Sequence, residues 1–249
     1  MTLSANTVLI TGASRGIGAA TAVAAARNGF DVAINYIADE EAAQSVVNDV
    51  LQYGCKAIAV QGDVSIADDV RRMFSIAEES LGPLAGLVNN AGLTGRIGPF
   101  TEAAPATIER VFAVNVFGTM QCARMALDCF ARRKQTGIIV NISSIAAHTG
   151  SPNEYVHYAA SKAAVETFTL GLAREVASSG IRVCAVAPGS TLTDIHATAG
   201  EPDRPERIAG KIPMGRLAYP SEIAETIVWL LSPAASYVTG RVLHCSGGL

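Results

Sequence analysis

A doubly wound α/β fold on a parallel sheet is predicted by three observations. Short β-branched runs alternate with longer Ala-rich stretches of helical period from one end of the chain to the other. The short runs are apolar on both faces, as strands covered by helices on both sides must be. Apolar residues make up 49% of the 249 positions and charged ones only 16%, a balance that fills a large core within one domain.

The elements follow in order. "NTVLITG" reads as a strand and "GIGAATAVAAARNG" as a helix stopped by Gly29. "DVAINY" is a second strand, "DEEAAQSVVNDVLQYG" a helix stopped by Gly54, and "KAIAVQGDV" a third strand. "VRRMFSIAEESLG" is a helix, "AGLVNNAG" a strand, and "ATIERVFAVNVFGTMQCARMALDCFARRK" one long helix. "GIIVNISS" is the next strand, and the helix carrying "NEYVHYAASKAAVE" follows it. The strand "IRVCAVAPG", an irregular insertion, the helix "SEIAETIVWLLS" and a short strand near "GRVLHC" complete the chain. Right-handed crossovers lay these helices on both faces of a sheet of about seven strands. Residues 1–249 form a single domain, and the segment around 190–213, rich in Gly, Pro and polar residues, is long enough to act as a substrate lid.

Composition excludes several classes. A net charge of −3 leaves no electrostatic footprint for nucleic acid. No apolar run reaches the eighteen or so residues of a membrane span, and "MTLSANTVLI" lacks the basic start of a secretory signal. A soluble, cytoplasmic protein is expected. Cys55, Cys122, Cys129, Cys184 and Cys245 form no Cys-x-x-Cys, so reduced thiols are expected rather than disulfides or zinc. His148, His157, His196 and His244 are scattered without metal-ligand spacing, and no metal is expected.

Between the first strand and first helix stands "TGASRGIG", Thr11 to Gly18. Glycines in such a turn let backbone N–H groups and a helix N-terminus approach a pyrophosphate. The spacing is Gly-x-x-x-Gly-x-Gly. Together with "NNAG" at Asn89 to Gly92, Asn115 in the long helix, Ser144 after a strand, Tyr-x-x-x-Lys at Tyr158 and Lys162, Pro188-Gly189 and "YVTG" at 237–240, it resembles the short-chain dehydrogenase/reductase family. The resemblance runs essentially from Leu3 to the C-terminus. It is greatest to members like 3-oxoacyl-carrier-protein reductase or glucose dehydrogenase, and it implies a Rossmann fold and a nicotinamide cofactor.

Within that resemblance the cofactor contacts fall on Gly12, Ser14, Arg15, Gly16, Ile17 and Gly18, on Tyr36 at the end of the second strand, and on Asp63 and Val64 near the adenine. Asn90, Ala91 and Gly92 follow, then Tyr158 and Lys162, and finally Pro188, Gly189, Thr191 and Thr193 towards the nicotinamide. An acid at the Tyr36 position would bind a ribose 2′-hydroxyl and repel a 2′-phosphate. Uncharged Tyr36 and the nearby cation Arg15 favour NADP, with NAD possible because Asp39 lies close by in sequence.

Hydride transfer to a carbonyl leaves charge on oxygen, so a proton donor tuned towards working pH is needed. A free tyrosine, at about 10, is too weak an acid. A lysine ammonium about 4 Å away stabilises the phenolate by on the order of 4 kcal/mol at an effective dielectric near 20. The i,i+4 relation supplies such a lysine: Tyr158 has Lys162 at that spacing, whereas four residues after Tyr155 stands Ala159. Tyr158 is therefore the expected general acid/base, Tyr155 a pocket wall, and His157 points to another face. Ser143 and Ser144 can each cap the loop after their strand. The family pattern gives the catalytic hydroxyl to Ser144 and gives Asn115 a water chain to the lysine.

Pocket walls are expected from residues 93–100, from His148 to Tyr155, and from the lid. "ARRKQ" at 131–135 reads either as a dock for an acidic carrier or as cations complementing a helix C-terminus. Cys122 and Cys129 are expected to mark an apolar face against another subunit. In the family the long helix and the Tyr158 helix build homotetramers or homodimers. The substrate implied is a small-molecule ketone or secondary alcohol, with neither nucleic acid nor membrane as partner. The alternative is a catalytically inactive NADP-binding sensor, although sensing does not require Asn115, Ser144, Tyr158 and Lys162 together.

Overall fold

The computed structural model describes residues 6–194 and 199–249. Seven parallel strands, β1 Thr7–Ile10, β2 Asp31–Tyr36, β3 Ala57–Gln61, β4 Leu84–Asn89, β5 Gly137–Ile142, β6 Ile181–Pro188 and β7 Val242–Cys245, form one sheet in the order β3-β2-β1-β4-β5-β6-β7. The order reverses between β1 and β4, and at such a switch point an open crevice forms beyond the strand ends. Helices α1 Gly16–Arg27, α2 Glu40–Leu51 and α9 Pro220–Leu231 cover one face, closing a core around Val8, Ile34, Val88, Val140 and Ile227. Helices α3 Ala67–Leu81, α5 Thr119–Arg133 and α7 Val156–Val176 cover the other, around Leu9, Phe74, Leu87, Phe130 and Ile139.

The predicted long helix divides into α4 Pro105–Phe112, a π-helical turn Ala113–Gly118 and α5. Gly118 is required by packing: a Cβ there would lie 2.7 Å from Val64 Cγ2. Cys122 and Cys129 are fully buried against the sheet rather than facing outward, which corrects the expectation of a subunit contact there. The outward residues of this region are others, such as Phe117, 58% exposed. The cations ending α5 are likewise tied down, with Arg132 and Arg133 both pairing with Glu78 on α3 at 2.9 and 3.1 Å.

Short helices α6 Ala146–Thr149 and α8 Arg204–Ala209 are the remaining α-helices among the described residues. All five cysteines are free thiols. Among the described residues no helix is long and apolar enough to cross a membrane, and no group of three His, Cys, Asp or Glu is placed to hold a metal; His196 lies outside them.

Candidate active site

A cavity of about 1130 Å³ runs along the carboxyl ends of the strands, from Gly12 and Tyr36 to Tyr158 and the lid. Its floor is the turn between β1 and α1, where Gly12 and Gly16 take φ of +60° and +58°. Two of the three motif glycines are already demanded by the protein's own packing: a Cβ on Gly12 would meet Ala91 Cα at 2.9 Å, and one on Gly18 would meet Asn90 Nδ2 at 2.5 Å. The second motif braces the first. Asn90 Nδ2 donates to the carbonyls of Thr11 and Gly12 at 2.9 and 2.8 Å, while Thr11 Oγ1 accepts the N–H groups of Asn90 and Ala91 at 3.0 Å.

Among the described residues no side chain caps α1, and its first turn carries no acid. Its terminal N–H groups therefore face the cavity without a side-chain acceptor, a setting that fits a diphosphate. Ser14, Arg15, Gly16 and Ile17 line this end, and Thr193 lies against Gly16. Tyr36 is buried at the end of β2, while the Asp39 carboxylate accepts Ala42 N–H at 2.9 Å as the cap of α2 and is thereby engaged. Asp63 accepts from the Ser65 backbone and hydroxyl at 2.9 and 2.7 Å and from Arg110 at 2.6 Å. Burial alone would raise its pKa, but these hydrogen bonds outweigh it and hold the carboxyl below its usual range. Arg110 lines the cavity and was not legible in the sequence, since no motif singles it out.

At the other end Ser144, Tyr158 and Lys162 converge. Ser144 follows β5, accepts the Ala146 N–H at 3.1 Å, and lines the cavity together with Tyr158. Lys162 is 4% exposed; its Nζ donates to the Ile142 carbonyl at 2.7 Å and lies 5.7 Å from the Tyr158 ring centre. Burial brings the Lys162 pKa down to about 8. Burial also pushes the Tyr158 phenol up, against lowering by Ser144 and Arg204. As the site stands, desolvation is the largest influence on both groups, raising Tyr158 and lowering Lys162.

Asn115 occupies the π-helical turn, completely buried. Its Oδ1 accepts Leu93 N–H and its Nδ2 donates to Leu93 O, both at 2.9 Å, and to Ser161 Oγ at 3.0 Å. Both amide hydrogens are used, so this side chain secures the loop after β4. No direct bond to Lys162 accompanies it.

The walls come from residues 93–97, from Ser151 to Tyr155, and from Pro188, Gly189, Thr191, Thr193 and the lid, close to expectation. Residues 98–100 and His148 do not line it; His148 Nε2 turns to Glu166 at 2.9 Å and its ring packs on His244. Tyr155 packs edge-on against Tyr158 with ring centres 5.2 Å apart. Arg204 of α8 is buried and reaches across the cavity, donating to Glu154 at 2.6 Å and to the Tyr155 hydroxyl at 2.8 Å. The segment carrying α8 is thereby latched to the turn preceding Tyr158. Of the expected lid, residues 195–198 lie outside the described ones.

The comparisons with known proteins agree with this arrangement. A family described as Enoyl-(Acyl carrier protein) reductase matches residues 12–249. The chain is 46% identical over 242 residues to the uncharacterized oxidoreductase YgfF of Escherichia coli, covering 96% of this chain and 98% of that one. It is 37% identical over 241 residues to the 3-oxoacyl-[acyl-carrier-protein] reductase FabG of Staphylococcus aureus, covering 97% and 96%. Among solved structures, 3-ketoacyl-(acyl-carrier-protein) reductase from Brucella melitensis, complexed with NADH, superposes with a TM-score of 0.91 at 32% identity over 99% of each chain. With a seven-stranded sheet, the Gly-rich turn and Ser144, Tyr158 and Lys162 on one cavity, the chain belongs to the short-chain dehydrogenase/reductase family as a FabG-like member.

Proposed function

We propose that this oxidoreductase interconverts a small-molecule ketone and a secondary alcohol with NADP(H), Tyr158 being the general acid/base. The observation that carries the reading is the meeting of Ser144, Tyr158 and Lys162 in one cavity whose other end is an uncapped helix N-terminus. Gly12, Ser14, Arg15, Gly16, Ile17 and Gly18 hold the diphosphate, Asp63 and Val64 flank the adenine, and Asn90 to Gly92, Pro188, Gly189, Thr191 and Thr193 flank the nicotinamide half. Arg15 on the cavity wall, with Asp39 engaged as a cap, supports NADP over NAD.

Hydride is what a bound nicotinamide supplies to the carbonyl carbon. The chain's residues manage the oxygen. Ser144 hydrogen-bonds the carbonyl oxygen as charge develops there, and Tyr158, protonated because it is buried, delivers the proton. The phenolate left behind is stabilised by the Lys162 ammonium, which the helix holds beside the Tyr158 ring. Lys162 also holds the ribose hydroxyls. Asn115 fixes the loop after β4.

Exposed Phe117, Val156 and Leu170 lie along the region of α5 and α7 and support assembly as a homotetramer or homodimer. Five free thiols fit the cytoplasm. The test is a panel of sugars, acyl thioesters, simple ketones and their alcohols, followed by absorbance of the reduced nicotinamide. Oxidation of NADPH by at least one carbonyl is expected; cofactor binding without turnover across the panel would leave a sensor instead.

A further inference from the structure

Residues 93–97 form one wall of the cavity, and each end of this loop is anchored. Asn115 holds Leu93, while Ile97 N–H reaches Ala199 O at 3.2 Å and Gly98 N–H reaches Glu154 O at 2.8 Å. Thr94 O is met by the Nε2 of His157 at 2.9 Å. His157 immediately precedes Tyr158 and is 5% exposed. A carbonyl only accepts, so Nε2 carries the proton. Nδ1 is buried with no partner among the described residues, so Nε2 makes the ring's one hydrogen bond. The next residue, Gly95, has φ +74°, and a Cβ there would lie 2.6 Å from Thr107 Cγ2 and 3.3 Å from His157 Nε2. Any side chain at position 95 would therefore crowd both Thr107 and the imidazole.

We propose that His157 is a positioning residue for substrate: through Nε2–H it sets the course of the Thr94–Arg96 wall relative to the helix start that carries Tyr158. The carbonyl substrate is then held by a wall in register with the proton donor, while the cofactor end of the cavity, formed by other elements, is unaffected. Only the kinetic part of the test rests on the oxidoreductase reading.

Four proteins decide it: wild type, His157→Gln, His157→Asn and His157→Leu. Glutamine can place an N–H near the position of Nε2, and asparagine cannot reach it. Backbone amide exchange across residues 95–97, read with NADPH bound, is expected to stay near wild type in His157→Gln and to quicken by about tenfold in His157→Asn and His157→Leu. On whichever carbonyl of the panel turns over, KM rises about tenfold in those two with kcat within about threefold and NADPH affinity unchanged, the pattern of lost ground-state positioning. Equal behaviour of the glutamine and asparagine variants, or exchange indifferent to all three, overturns the proposal. If no carbonyl turns over, amide exchange still decides the role of His157 while the oxidoreductase reading fails separately.

Discussion

Lys162 Nζ sits 5.7 Å from the ring centre of Tyr158 and donates to the carbonyl of Ile142, the last residue of β5. One helical turn thus places the cation beside the phenol, and the strand end fixes how far it can swing. The tyrosine that pairs with this lysine is the one expected to do chemistry.

Replacing Tyr158 by Phe removes the proton donor and keeps the ring packed in its buried site, so kcat is expected to fall about a thousandfold with NADPH affinity nearly unchanged. Tyr155→Phe removes one of the acceptors of Arg204 and keeps most of kcat. Steady-state kinetics paired with fluorescence titration of NADPH separates the two, and a larger loss in Tyr155→Phe would reverse the assignment.

Arg15 stands at the N-cap of α1 and lines the cavity. Arg15→Ala should weaken NADPH by about tenfold or more, the size of one charge-assisted hydrogen bond, and NADH far less. Isothermal titration with both cofactors measures this. Equal losses would remove the case for a 2′-phosphate.

Lys162 is held at a pKa of about 8, against 10.5 for a free lysine. Below pH 8 the folded and unfolded chains both carry the charge and the full cost of burying it opposes folding. Between 8 and 10.5 the folded state sheds the proton first, and stability contributed by this site rises with pH. Lys162→Met should therefore gain about 1–2 kcal/mol at pH 7, after allowing for the lost bond to Ile142 O, and lose that advantage by pH 10.5. Urea unfolding at the two pH values checks the sign, and the variant should be inactive at both.

The latch between Arg204 and the Glu154–Tyr155 pair predicts that Arg204→Ala loosens the lid. Trypsin should then cut after Arg207 or Lys211 faster than in wild type, and KM should rise severalfold while kcat changes less. Unchanged proteolysis would mean that the small core of Ile208, Ile212 and Leu217 suffices to hold the lid.

Much of this is legible in the sequence. Short runs apolar on both faces mark the strands and 3.6-residue periods the principal helices, and the i,i+4 relation pairs Lys162 with Tyr158 rather than Tyr155 without any coordinates. Those signals are local. The π-helical turn is hidden inside a continuous helical pattern, because widening a helix by one residue leaves its apolar face nearly intact. The orientation of Cys122 and Cys129 is hidden too, since spacing alone does not say which side of a helix meets the sheet.

The sequence by itself determined the element order, the Gly-rich turn and the motifs of the family. Tertiary structure alone decided that Asn90 braces that turn, that Arg110 engages Asp63, that His148 turns away to Glu166 and that Arg204 crosses the cavity to Tyr155. It also decided how deeply Tyr158 and Lys162 are buried. Each of these depends on groups distant in the chain and on how completely water is excluded around them, and exclusion of water is a property of the packed sheet and helices as a whole.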